Sequence, residues 1–338
     1  MTPRPVPSTK KTVLVAGGAG FVGSHLCEAL LQQGHRVICL DSFLTGREEN
    51  ILPLCNYRDF RMVRGDVRAP VILRERLERI YNLASPASPP HYQADPIHTM
   101  LTNVEGTAGL LDLARDHGAR FVQASTSEIY GDPEIHPQPE EYAGHVNCTG
   151  PRACYDEGKR AAEALCFDYA RAGLDVRVAR IFNTYGPRMR PDDGRVVSNF
   201  LVQALQGHDI TIYGKGQQTR SFCYVSDLVA GLHALMEVAE PPKTAINLGN
   251  PEEFTILDLA RQVQALVPGQ ARLVFRPLPQ DDPTRRRPDI SRARELLGWS
   301  PKVTLDQGLP QTAAWFAAAV GAAGVQPGPG APLSRAQA

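Results

Sequence analysis

Apolar residues follow two alternating rhythms through the first half of this chain. Short β-branched and aliphatic runs at 12–16, 37–40, 60–64, 80–83, 121–124 and 176–181 predict buried strands. Between them the spacing lengthens to that of helices. Val22, Leu26, Ala29 and Leu30 share one helical face, and a long helix is predicted over 96–117. Strand alternating with helix predicts an α/β, Rossmann-like doubly wound parallel sheet. Pro86-Ala87-Ser88-Pro89-Pro90 predicts a stiff loop that excludes helix. After residue 183 the alternation loosens. Short strands are expected at 211–213, 222–225 and 245–248, and helices at 292–297 and 305–320. The pattern divides into a main sheet domain over 11–182, to which later segments return, and a smaller C-terminal substrate-binding domain over 183–320. Residues 1–10 and 321–338 read as flexible tails.

Composition narrows the partners. Lys+Arg and Asp+Glu are both 36, so the formal net charge is zero, which argues against nucleic acid or an anionic membrane. No apolar run approaches the ~18 residues that span a bilayer. The basic, Pro-rich start lacks the apolar core of a secretory signal. Seven cysteines are scattered without a Cys-x-x-Cys or any metal-ligand spacing, a pattern of reduced thiols in a cytoplasm and of no metal.

The first predicted strand runs into Gly17-Gly18-Ala19-Gly20-Phe21-Val22-Gly23 and then a helix. Gly17 permits a tight turn, Gly20 lets backbone approach a pyrophosphate, and Gly23 lets the helix pack closely on the strand. The helix N-terminus offers its free N–H groups to phosphate. Asp41 ends the second strand, eighteen residues past Gly23, where an acid accepts hydrogen bonds from ribose hydroxyls and repels a 2′-phosphate. That favours NAD over NADP, with Arg47 read as a solvated loop residue. Asp66 ends the third strand as an adenine contact, and Ala84-Ser85 end the fourth beside the cofactor.

Tyr155 and Lys159 are four apart, one turn along one helical face. A free tyrosine titrates near ~10, and a neighbouring cation favours the phenolate. Tyr-x-x-x-Lys alone is a weak signal. It strengthens because Ser125-Thr126-Ser127-Glu128 sits at the carboxyl end of the fifth strand, where open α/β sheets bind ligands. Thr126 supplies a hydroxyl to the pair, and Glu128 an acid or base two residues on.

Six longer segments carry a resemblance: 84–90, 125–134, 150–160, 179–189, 193–200 and 247–253. With them, 11–319 resembles the extended short-chain dehydrogenase/reductases that act on nucleotide sugars, and more narrowly the UDP-glucuronate decarboxylases, or UDP-xylose synthases. Dehydratases of this fold typically carry Asp-Glu after the Thr, where this chain has Ser127-Glu128. The resemblance implies NAD as cofactor and UDP-glucuronate as substrate, decarboxylated through a 4-ketone to UDP-xylose with NAD regenerated. It implies cofactor contacts from Phe21, Val22, Ser42, Phe43, Thr45, Gly46, Val67, Leu83, Thr102 and Thr184 beside those above. It places Glu128 and Arg286 at the C5 end of the sugar, with the register of Arg285-Arg286-Arg287 open by one. Arg220 is implied at the pyrophosphate, Asn183 and Arg195 at the UDP moiety, and Tyr213 at the uracil end, with Pro89 and Ser127 also touching substrate. Leu101 departs from the pattern, which often has Lys there. The resemblance further implies a homodimer built from the helices near 96–117 and 155–172. Ala161, Ala162, Leu165 and Cys166 form the apolar cluster expected to pack between protomers. Two rival readings are a UDP-glucuronate or UDP-glucose 4-epimerase and a non-catalytic NAD-binding regulator. The intact Thr126, Tyr155 and Lys159 argue against the regulator.

Overall fold

The computed structural model describes residues 10–269, 271–277 and 285–321. The tails expected at either end therefore fall, apart from Lys10 and Gly321, outside the described residues. In chain order the first half reads β1 (Thr12–Ala16), α1 (Phe21–Gln32), β2 (Arg36–Asp41), α2 (Glu48–Ile51), β3 (Phe60–Arg64) and β4 (Arg79–Asn82). It continues with α3 (Pro89–Ala94), α4 (Pro96–Leu101), α5 (Thr107–His117), β5 (Arg120–Thr126), α6 (Ala153–Arg171) and β6 (Val176–Ile181). The six strands predicted from apolar runs are all present, within two residues of their expected ends.

These strands pair in parallel, and a seventh joins them, in the order 246–248, β6, β5, β4, β1, β2, β3. Buried on both faces, β1 is apolar along nearly its whole length, as a central parallel strand must be. One apolar cluster lies on each side: Leu26, Leu30 and Leu232 on one, Leu110, Phe121 and Val178 on the other. The strand order reverses between β1 and β4. The crevice outside their carboxyl ends is where such sheets take ligands.

The helix expected over 96–117 is present with a wide-turned π segment, Thr102–Gly106, between α4 and α5. The loop expected at 86–90 is shorter than the sequence suggested. Helix α3 begins at Pro89, because a proline in the first turn forfeits only an N–H that has no intrahelical partner.

The second half supplies β7 (Thr184–Tyr185), α7 (Val196–Leu205), β8 (Ile210–Tyr213), β9 (Thr219–Ser221), β10 (Cys223–Tyr224) and α8 (Val225–Glu237). Then follow β11 (Ile246–Leu248), β12 (Glu253–Thr255), α9 (Ile256–Leu266), β13 (Leu273–Arg276), α10 (Ser291–Leu297) and α11 (Leu305–Val320). Of the strand expected at 222–225 only Cys223–Tyr224 forms, as β10, with β9 a separate short strand before it. β9 pairs with β12, β10 pairs with β7, and Val225 already starts α8. β11 lies on β6 as the outermost strand of the main sheet, and α8 packs beneath it.

Candidate active site

The turn after β1 is built backbone against backbone. Gly17 has φ +76°, and a Cβ there would lie 2.7 Å from the Leu83 carbonyl carbon. A Cβ on Gly23 would lie 2.1 Å from the Gly17 oxygen, and one on Gly20 3.2 Å from the same atom. The resulting cradle opens onto the N-terminus of α1, and it fits a dinucleotide pyrophosphate.

Two lobes meet over this turn and share Gly17, Gly20, Thr45, Leu83 and Ser85. The smaller, about 520 Å³, is lined by Asp41, Ser42, Gly46, Asp66, Val67, Ala84 and Thr102. Asp41 is buried. Its carboxylate accepts from the backbone N–H of Ala19 at 2.9 Å and of Phe43 at 2.8 Å. Burial pushes its pKa up, against these hydrogen bonds. Each oxygen keeps lone pairs for ribose hydroxyls. Phe43 does not line the lobe. It has φ 62° and lies under the Arg64 guanidinium.

The larger lobe, an open cleft of about 1140 Å³, holds Phe21, Val22, Gly23, Ser127, Asn183, Thr184 and Arg195 together with Thr126, Glu128, Tyr155 and Lys159. Tyr155 stacks on Tyr92 with ring centroids 5.1 Å apart. Lys159 is one turn on, but its Nζ donates to the Ala124 carbonyl at 2.9 Å and sits 5.8 Å from the Tyr155 ring centre. Burial pushes the Tyr155 phenol well above its ordinary value. A hydrogen bond with Thr126 and the charge of Arg195 pull the other way. The cation expected to hold the phenol down was Lys159, whereas in the protein alone it is Arg195 that acts, and burial outweighs it. Burial also lowers Lys159 to about 8.

Glu128 sits behind Tyr155 in a clamp of arginines. Arg286 bonds both carboxylate oxygens, one at 3.0 Å, and Arg152 bonds one of them. Despite burial, the charges of Arg286 and Arg152 hold the Glu128 carboxyl down at about 2.

The model of the NAD dependent epimerase/dehydratase family matches residues 13–249. This chain belongs to that family. The protein named UDP-glucuronic acid decarboxylase 1 in Danio rerio is 54% identical over 310 residues, covering 91% of this chain and 73% of the relative. Among solved structures, an epimerase from Methanothermobacter thermautotrophicus has a TM-score of 0.85 at 31% identity, covering 92% of this chain and 94% of its own. A UDP-glucuronic acid 4-epimerase from Bacillus cereus, solved with UDP-glucuronic acid and NAD, has a TM-score of 0.79 at 28% identity, covering 91% and 99%. NAD is the cofactor of this family member, and the lining of the two lobes fits it.

Within this family member the remaining expectations divide. Arg286 is the arginine of its run that faces Glu128, while Arg287 is 3.6 Å from Glu253. Arg220 is buried and its charge reaches Glu128, although it does not line the cleft. Tyr213 is 44% exposed and outside both lobes, because β8 turns its side chain outward. Pro89 starts α3 beside the cleft, whose lining there is Ser88 and His91. Sequence reasoning missed Arg152, Arg188, Arg190 and Asp193. Arg152 had a signal, since it precedes Tyr155 by three positions and so lies on the same helical face. The other three sit in a loop without periodicity.

Proposed function

We propose that this protein is an NAD-dependent UDP-glucuronate decarboxylase, forming UDP-xylose and carbon dioxide. The observation that carries the reading is the Arg286–Glu128–Arg152 clamp in the same cleft as Tyr155, Thr126 and Lys159. The name carried by its 54% identical relative supports it.

The cradle of Gly17, Gly20 and Gly23 holds the dinucleotide phosphates, Asp41 its adenosine ribose, and Lys159 its second ribose. NAD held there would supply the acceptor for the C4 hydride of the sugar and the donor that gives it back. Tyr155 Oη, hydrogen-bonded by Thr126, takes the C4 hydroxyl proton as oxidation proceeds. Oxidation makes the sugar a β-keto acid. Tyr155, now protonated, then donates to the C4 oxygen as carbon dioxide leaves and negative charge moves onto that atom. Arg286 orients the carboxylate before it departs, a task suited to a planar guanidinium. Glu128, kept ionised, fixes Arg286 and positions the water that protonates C5. Tyr155 returns its proton to O4 at the end. Arg195, which lines the cleft, neutralises the UDP phosphates, with the buried Arg220 adding positive charge behind it.

Trapping of labelled carbon dioxide from UDP-glucuronate labelled at C6 tests this. Stoichiometric release with UDP-xylose supports it. UDP-galacturonate without gas release would instead make the chain a 4-epimerase like its Bacillus cereus neighbour.

We also propose a homodimer formed through α4, α5 and α6, and a cytoplasmic location. Ile97, 73% exposed on α4, and the half-buried Leu165 on α6 support the first. Ala162 and Cys166 are fully buried within the protomer, so they do not belong to the contact surface as expected. Seven free cysteines support a reducing location. Light scattering that returned a mass near 36.9 kDa would count against the dimer.

A further inference from the structure

Asp156 follows Tyr155 on α6 and is 7% exposed. Its Oδ1 accepts no hydrogen bond among the described residues. Its Oδ2 lies 4.0 Å from Nε of Arg152. The same Arg152 turns its other end to Glu128, which Arg286 holds from the far side. One guanidinium is thus shared by two carboxyl groups, one fully bonded and one nearly unbonded. Burying an ionised carboxylate without donors is unfavourable, so the unbonded partner favours its neutral form.

The groups around Asp156 come from four elements. Arg152, Cys154, Tyr155 and Glu157 belong to its own helix or its start, Glu128 to the turn after β5, and Arg286 to the C-terminal segment. Tyr92 comes from α3. Its buried hydroxyl likewise has no hydrogen-bond partner among the described residues. Arg160, one turn on, is turned to the carbonyls of Ile129 and Ala143. Burial and then the Glu128 charge push Asp156 up to about 7, against the pull of Arg152 and Arg286. Its neighbour Glu128 is driven the opposite way. Two nearby carboxyls whose environments push them apart divide the charged and neutral roles between them.

We propose that Asp156 is a positioning residue for the decarboxylation: as a neutral acid it leaves Arg152 on Glu128, and as a carboxylate it draws Arg152 away and loosens the Glu128–Arg286 clamp. The proposal rests on the decarboxylase reading, and it concerns a group that does not line the cleft. Because the neutral form is the one that keeps the clamp, turnover falls as pH rises through about 7.

Two measurements test it. The first does not need turnover. The Arg152 Nε resonance, assigned by its loss in Arg152→Lys, is followed by NMR across pH in the NAD-bound protein. It moves with a midpoint near that of Asp156, and in Asp156→Asn, which cannot ionise, the movement disappears. The second is kcat for carbon dioxide release. Wild type loses about tenfold between about pH 6 and about pH 8, Asp156→Asn flattens that ratio to within about twofold, and Asp156→Glu restores it. An Arg152 signal that moves identically in Asp156→Asn overturns the proposal, as does an unchanged pH slope. So does an Asp156→Asn protein that binds NAD normally yet is dead at every pH, since the ionised group would then be required. If Asp156→Asn does not fold, Arg152→Lys takes its place: a lysine cannot bridge both carboxyls, and a persisting slope overturns the idea. Absence of carbon dioxide from wild type sinks the decarboxylase reading, while the NMR titration still decides the charge coupling.

Discussion

Gly23 and Gly20 look alike in the sequence, yet substitution separates fold from cofactor binding. An alanine methyl at Gly23 lands 2.1 Å from the Gly17 oxygen, where ordinary contact begins at 3.4 Å, so about 1.3 Å must open between α1 and the turn. Both groups are backbone and neither can rotate aside. Overpacking of this kind costs about 1–3 kcal/mol, which lowers the unfolding midpoint by a few °C at this chain length. The methyl at Gly20 meets the same oxygen at 3.2 Å, a few tenths of an ångström inside ordinary contact. Stability should barely change there, whereas the methyl stands where backbone must approach the pyrophosphate. Scanning calorimetry of NAD-free protein and calorimetric titration with NAD read the two effects separately. Gly23→Ala should lose both stability and affinity, and Gly20→Ala affinity alone, by about tenfold or more, equivalent to one lost hydrogen bond of ~1.4 kcal/mol. A Gly23→Ala protein with wild-type midpoint and NAD affinity would refute the reasoning, since the close contact would then not be what joins α1 to the sheet.

Four further outcomes are expected. Tyr155→Phe should abolish both bound NADH absorbance and carbon dioxide release on mixing with UDP-glucuronate, a loss of ~10²–10⁴ in rate; Arg286→Gln should still form NADH while releasing little gas, and unchanged release would move its role to a neighbour. Asp41→Ala should bind NADP⁺ nearly as well as NAD⁺ in a titration of both, and a wild type that already uses them equally would remove Asp41 from the ribose. Glu128 is held at about 2 in the folded protein, below its ordinary 4.5, so its clamp adds stability above pH 4.5 that is lost as pH falls through about 2. The stability difference between wild type and Glu128→Gln in urea titrations should therefore shrink steadily below pH 4.5; a gap independent of pH would mean that charge is not its source.

The sheet and the cradle are legible from the order of residues alone. Apolar β-branched runs and the Gly-x-x-Gly spacing are local patterns, legible without the distant chain even though Gly17 also meets the Leu83 backbone. Thr126, Tyr155 and Lys159 were legible for the same reason: a strand end and one helix turn are local geometry. How charges from far positions meet is visible only once the chain is folded. Arg286 reaches Glu128 across 158 residues, and nothing in Arg285-Arg286-Arg287 distinguishes the one that does. Burial likewise has no sequence signature at Tyr155, where desolvation overrides the Arg195 charge, or at Asp156, where one oxygen finds no partner among the described residues. Proline rules excluded a helix at 86–90 too broadly, because the start of α3 uses Pro89 where its missing N–H costs nothing. A return of later segments to the main sheet is legible, but that β11 is the strand that pairs with β6 is not, because three residues carry too little periodicity to show which surface they join. Local patterns thus settle which elements form, while the electrostatic character of the site comes from side chains that only the folded chain brings within reach of one another.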